Sequence, residues 1–259
     1  MTRAIIAALV GTVLCVPVAF ASSSGFNGTW KEVLSSAKMG GQPYTIRVAG
    51  GMFSCASCVP QTRVKADGAP HDVRGDPEFD ALAVTVLNDH TIRMDAFKGD
   101  KTVSTITFSV ARNGRTATYA SSDLRTETSG RLGFRRVGHR IKDANLVSGS
   151  WLPTKVADLS DNARTITYNV GDKMIAMTTP AGQSYIAPIN GKRVAFKGDP
   201  RITMVAVRLK GNSLWEGDYR DNRLVKVSTS TLLPGGKTMI VKWTAPQLHH
   251  YGSFEMTKQ

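Results

Sequence analysis

Three groups of residues in this 259-residue chain have the types and spacing to do chemistry. The sharpest is Cys55-Ala56-Ser57-Cys58. A thioredoxin-type redox pair needs its first cysteine exposed at a helix N-terminus, where the dipole lowers the thiol pKa. Met52-Phe53 before it and Val59-Pro60 after it predict a strand and a turn instead. Covalent haem needs His directly after the second Cys, and position 59 is Val. Zinc needs two further ligands, and the five histidines show no metal spacing. In an exported chain the pair reads most simply as a local structural disulfide, Cys55 to Cys58. His249-His250 are adjacent, so on a strand they point to opposite faces and do not converge on a metal. Asp72, Asp76, Glu78 and Asp80 surround a proline turn without the alternation and glycine bend of a calcium loop. They read as turn and solubilising residues. No Gly-x-Ser-x-Gly elbow is present, and no nucleophile has a recognisable base. The expectation is a protein without catalytic, cofactor-binding or metal residues.

The elements that carry these residues are strands. Tyr44–Val48, Ala81–Leu87, Thr91–Met94 and Val103–Val110 are short and rich in β-branched side chains, as are Thr165–Val170, Met174–Met177, Ile202–Leu209, Leu224–Leu232 and Thr238–Trp243. Gly, Asn or Asp separates them, as at Asn88-Asp89, Asn113-Gly114 and Lys210-Gly211-Asn212, which is the pattern of antiparallel hairpins. Ile106, Phe108 and Val110 alternate with Thr105, Thr107 and Ser109. No segment has helical periodicity long enough for a crossover helix.

The chain also repeats itself. Gly28-Thr29-Trp30-Lys31 returns as Gly149-Ser150-Trp151-Leu152, Gly75-Asp76-Pro77 as Gly198-Asp199-Pro200, and Leu132-Gly133-Phe134 as Gly252-Ser253-Phe254. The steady offset of roughly 120 residues predicts a duplicated domain. Residues 26–138 and 146–259 are expected to form one antiparallel barrel each, joined by a linker at 139–145. Before them, Arg3, the apolar run Ala4–Phe20 and the small-x-small site Ala19-Phe20-Ala21 predict a Sec-type signal peptide over residues 1–21, with the mature chain starting at Ser22. Leu14 is too large to precede a lipidated cysteine, so Cys15 is read as an ordinary residue of the leader. No later apolar run approaches the roughly 18 residues of a spanning helix. The expected location is periplasmic or secreted. A net charge of +13 would draw the protein toward anionic envelope components, although its simpler role is solubility. The basic residues are scattered along strands, which argues against nucleic acid.

A Gly-x-Trp opening an up-and-down antiparallel domain resembles lipocalins and other calycins. In that family the Trp plugs one barrel end and a basic residue from near the last strand crosses its ring. The resemblance gives Arg135 or Arg136 this part for Trp30 and Lys258 for Trp151. More narrowly, each copy is similar to small secreted bacterial proteins that open with Gly-Thr-Trp-Lys and continue through a Gly-Asp-Pro turn and hairpins such as Asn88–Ile92 and Arg112–Thr116. Leu152 and Pro153 depart from it and blur the first strand of copy two. The resemblance brings no catalytic residue. It implies two tandem lipocalin-like barrels, with Trp30, Trp151, Phe134, Phe254 and Arg135 closing them. Each Phe is expected in the strand beside its own copy's Trp; the alternative is that the copies exchange first strands or build one shared sheet, with Trp30 packed against Phe254. The functional expectation is an envelope binding protein for a small apolar molecule or an anionic envelope component. The alternative is a structural or interaction module of an envelope assembly, with filled barrels.

Overall fold

The computed structural model describes residues 24–259, and the leader, Cys15 and the cleavage site lie outside the described residues. Twenty strands follow one another: β1 (Gly28–Gly41), β2 (Tyr44–Ala49), β3 (Met52–Cys55), β4 (Thr62–Lys65), β5 (Pro70–Asp72), β6 (Ala81–Asn88), β7 (Thr91–Lys98), β8 (Lys101–Val110), β9 (Thr116–Asp123) and β10 (Thr128–Val137). The second series is β11 (Gly149–Leu159), β12 (Thr165–Val170), β13 (Met174–Thr178), β14 (Ser184–Pro188), β15 (Asn190–Ala195), β16 (Met204–Lys210), β17 (Ser213–Arg220), β18 (Arg223–Leu232), β19 (Thr238–Ala245) and β20 (His250–Lys258). A single helical turn, α1 (Asp161–Arg164), sits between β11 and β12. The strands break where the turn chemistry demands. At β8–β9 the Asn113 side chain accepts the Arg115 backbone N–H at 2.8 Å, and Gly114 supplies a φ of 66° that suits glycine.

The strands form two nearly closed antiparallel barrels, each from a ten-stranded sheet. One runs β4-β3-β2-β11-β10-β9-β8-β7-β6-β5 and the other β14-β13-β12-β1-β20-β19-β18-β17-β16-β15. The second is shut by a bridge between Ser184 and Lys197. The first comes together where Gly68 N–H donates to the Val84 carbonyl at 3.0 Å. Each barrel has its own core, one around Phe53, Ile92, Phe108 and Trp151, the other around Trp30, Ile175, Leu214 and Met239.

The barrel units are not 26–138 and 146–259, because the copies exchange their first strands. β1 pairs with β20 and β12, and β11 pairs with β10 and β2. One barrel is therefore the contiguous stretch β2–β11, and the other is β1 together with β12–β20. The connections explain the choice. The segment expected to link two barrels reverses the chain within one barrel and folds β11 back on β10. It is docked there: Asn145 N–H donates to Val48 O at 3.0 Å and Leu146 N–H to Asp89 O at 2.9 Å. β11 thus folds back on β10 through a short local reversal, while β1 pairs with β20 from the far end of the described chain. Only Gln42 and Pro43 separate β1 from β2, so β1 leads into its successor's barrel from the neighbouring one. Pro153 does not end β11. It sits opposite Phe134 beside a register shift, where its missing N–H is tolerated.

Candidate functional site

Each barrel has a sealed end built from the repeated Gly-x-Trp. Trp30 and Trp151 are both 0% exposed. Each indole N–H donates to the carbonyl four residues back, Phe26 O for Trp30 and Val147 O for Trp151, both at 2.8 Å. A cation covers each ring. The Arg136 guanidinium lies 4.2 Å from the Trp151 centroid and the Lys258 ammonium 5.4 Å from that of Trp30. Arg136 is fixed by three carbonyls, Gly114 O at 2.7 Å, Ser148 O at 2.6 Å and Leu146 O at 2.5 Å. The glycine makes room for it. A Cβ on Gly149 would collide with Arg136 Nη1, and one on Gly28 would stand 2.9 Å from Lys258 Cε.

The expected residues are thus at the barrel ends, with their partners exchanged. Arg136 serves Trp151 and Lys258 serves Trp30, the reverse of the expected assignment. Arg135 closes nothing, because it is one residue out of phase on β10 and its side chain is exposed. Phe134 packs in the core with Trp151, through Phe108, whose ring is 5.9 Å from Phe134 and 5.3 Å from Trp151. Phe254 packs in the core of Trp30. Each Phe stands in the strand beside the other copy's Trp, since the strands that carry the tryptophans are exchanged.

Cys55 and Cys58 are bonded. Cys58 lines a groove of about 350 Å³ between the barrels, with Gln42, Gln61, Gln247 and His249. His250 is buried at its edge, its Nε2 2.9 Å from Gln42 O and its Nδ1 3.1 Å from the Tyr44 hydroxyl, so both ring nitrogens are engaged. The acidic turn has a role that was not expected. Arg201 Nη2, beside the second Gly-Asp-Pro turn, is 2.6 Å from Glu78 Oε2 and 3.4 Å from Asp76 Oδ2 of the first. The duplicated turns meet in this ion pair between the two barrels. Among the described residues, no three His, Cys, Asp or Glu side chains converge as a metal site would require.

The opposite ends of the barrels differ from each other. In the first, register places Met94 (β7), Ile106 (β8), Ser121 (β9) and Leu132 (β10) on the inner face, and all four are only half-buried. Tyr119 lies among them, its pKa pushed up to about 12, first by burial and then by the neighbouring Tyr44. This end is apolar with a few hydroxyls.

In the second barrel, β17 turns Leu214, Glu216 and Asp218 inward. By strand order and register, Glu216 and Asp218 hold the places of Met94 and Ala96, while Tyr168 and Tyr185 hold those of Ile46 and Thr62. The Tyr185 hydroxyl donates to Glu216 Oε2 at 2.5 Å. Asp218 is 2% exposed, and its Oδ1 accepts no hydrogen bond from any described residue. Its Oδ2 faces Lys226 across the strand pair, 3.8 Å away and nearer solvent. Ser228 and Trp243 continue the same inner face, with the indole lying against Gly252. Burial, then the charge of Glu216, pushes the Asp218 pKa up to about 7 against the opposing pull of Lys226. Tyr168 and Tyr185 are driven well above the usual phenol value by burial first and the same carboxylates next.

Sequence reasoning missed this cluster. The signal was there in the alternation, since Glu216 and Asp218 share a face with Leu214 in a strand whose counterpart carries Ile92, Met94 and Ala96. No family model matches the chain, and no curated protein matches it.

Proposed function

We propose that the protein is an exported, lipocalin-like binding protein of the bacterial envelope, with ligand sites at the open barrel ends. The observation that carries this reading is the contrast between the ends of one barrel. Trp151 is fully buried at one, while Met94, Ile106 and Leu132 at the other face inward but are only partly buried, Met94 and Leu132 packed at the edge of the core. A partly buried apolar inner face is what a small apolar ligand would cover, and a barrel of about eight strands has room for side chains or for one small ligand. The cation over each Trp supports the lipocalin-like reading, and the leader supports export. The alternative, a structural or interaction module, draws on the strand exchange, which ties both barrels into one unit whether or not either holds a ligand.

Native mass spectrometry of the mature protein purified from its own host tests the reading directly, since a bound apolar molecule adds its mass. An environment-sensitive apolar dye should bind the isolated protein and lose affinity in Ile106→Trp, which fills the open end of the first barrel. Dye binding unchanged by that substitution, with no co-purifying mass, would favour the structural module.

A further inference from the structure

We infer that the inner face of the second barrel around Asp218 is a site for a small ligand bearing a primary ammonium group, held by Asp218 and Glu216. The inference rests on the proposed binding function and names a ligand class for one barrel.

The strand order does not require the acid pair, although Glu216 accepts from Tyr185 across the barrel interior. The equivalent positions in the first barrel are Met94 and Ala96, and that barrel closes with the same strand order. Burying a carboxylate without hydrogen-bond donors is costly, so such groups are ordinarily paired. Glu216 has one donor, Tyr185. Asp218 has none on Oδ1, and its nearest cation, Lys226, stands beyond hydrogen-bond distance at 3.8 Å with its side chain 46% exposed. The geometry therefore presents an inward carboxylate oxygen awaiting a donor, a second carboxylate two residues away on the same face, and a lysine at the rim that only partly satisfies the charge. Aromatic rings complete the lining: Tyr168 and Tyr185 in the wall and Trp243 toward the opening. A compact cation satisfies every one of these groups. It hydrogen-bonds the carboxylates with charge assistance and rests against ring faces. A neutral polyol would leave the net charge unbalanced, and an anion would be repelled.

Lys226 then acts as the resident competitor, displaced toward solvent when the ligand's ammonium enters. That role separates a ligand site from a merely structural acid pair. If Lys226 were a structural partner of Asp218, removing it would harm the site. If it is a competitor, removing it improves binding.

The test is isothermal titration of the mature protein with putrescine, and with 1,4-butanediol as the neutral isostere, followed by ethanolamine and glucosamine. Putrescine or another amine of the panel should saturate one site, and butanediol should not. Asp218→Asn and Glu216→Gln should each weaken amine binding by about tenfold or more, the loss of a charge-assisted contact. Lys226→Met should tighten it severalfold, and Ile106→Trp in the other barrel should leave it unchanged. Thermal unfolding of each variant confirms that it is folded. Equal binding of butanediol, undiminished binding by Asp218→Asn, weakened binding by Lys226→Met, or no binding of any amine at millimolar concentration overturns the inference. Dye binding that is lost in Ile106→Trp while no amine binds would overturn this inference alone. Failure of both would overturn the binding function itself.

Discussion

Replacing Asp218 by Asn should make the protein more stable, and by an amount that depends on pH. The folded-state pKa of Asp218 is raised from 3.8 to about 7, with burial as the main cause. A raised carboxyl pKa means that the folded state holds the proton more tightly than the unfolded chain. Below about pH 4 both states are protonated and the residue costs nothing. As pH rises from about 4 to about 7 the unfolded chain ionises first, and stability is lost across that window. Above it the full penalty remains. A tenfold change in proton affinity is worth about 1.4 kcal/mol, so a change of roughly a thousandfold puts the ceiling near 4 kcal/mol. Asn leaves Lys226 without its partner and keeps a buried oxygen without a donor, so the amount recovered is smaller, about 2–3 kcal/mol at pH 8. Asn keeps the shape and removes the charge. Urea unfolding of wild type and Asp218→Asn, at pH 4 and pH 8, reads the difference directly. The two proteins should match within about 1 kcal/mol at pH 4, and the variant should be the more stable at pH 8. A difference that is the same at both pH values, or a variant less stable than wild type at pH 8, would refute the account of Asp218 as a buried, under-compensated carboxylate.

Other outcomes follow from the sealed ends and the exchanged strands. Trp30→Ala and Trp151→Ala should each cost about 3–5 kcal/mol by denaturant unfolding, the range for deleting a fully buried aromatic side chain. Gly149→Ala should cost more than about 2 kcal/mol, because its Cβ would collide with Arg136 in a backbone conformation that already favours glycine, with φ at 147°. A far-ultraviolet and thermal comparison of two fragments checks the strand exchange: residues 44–159, which hold all ten strands of one barrel, should fold cooperatively, and residues 26–138, which lack β11, should not.

Much of the fold is written locally. Turn residues and alternation set the strands, so Thr165–Val170 begins and ends where its β-branched run does. The disulfide follows from spacing and from the absence of any helix or ligand set around Cys55 and Cys58. What is not local is which barrel a first strand joins. β1 and β11 open with the same Gly-x-Trp and each meets a cation over its ring, so the motif does not distinguish one barrel from the other. The decision lies in the connections: an eleven-residue reversal at 138–148 that lets β11 fold back, and the two residues Gln42-Pro43 that carry β1 onward. The pairing follows these connections, and no residue type announces it. Arg135 was the natural choice over Arg136 only while the register of β10 was unknown. One residue of phase moves a side chain from the barrel interior to its surface.

The acid pair escaped notice for a related reason. Two acids at alternate positions in a short strand look like a solvated face until the strand's inner side is fixed. Leu214 fixes it, because a core leucine and the two acids lie on one face of β17. Comparing the copies sharpens the point. At the sealed ends the two barrels use the same devices, an indole donating to a carbonyl four residues back, a glycine beside it and a cation across the ring. Along the rest of the inner faces they part company, Met94 and Ala96 against Glu216 and Asp218, Ile46 against Tyr168, Thr62 against Tyr185. The scaffold keeps its seal in both copies and varies the inner-face residues beyond it, apolar in one core and in part acidic in the other. On the proposed binding function, these differences would give two sites of unlike chemistry, one apolar and one acidic, rather than one site repeated.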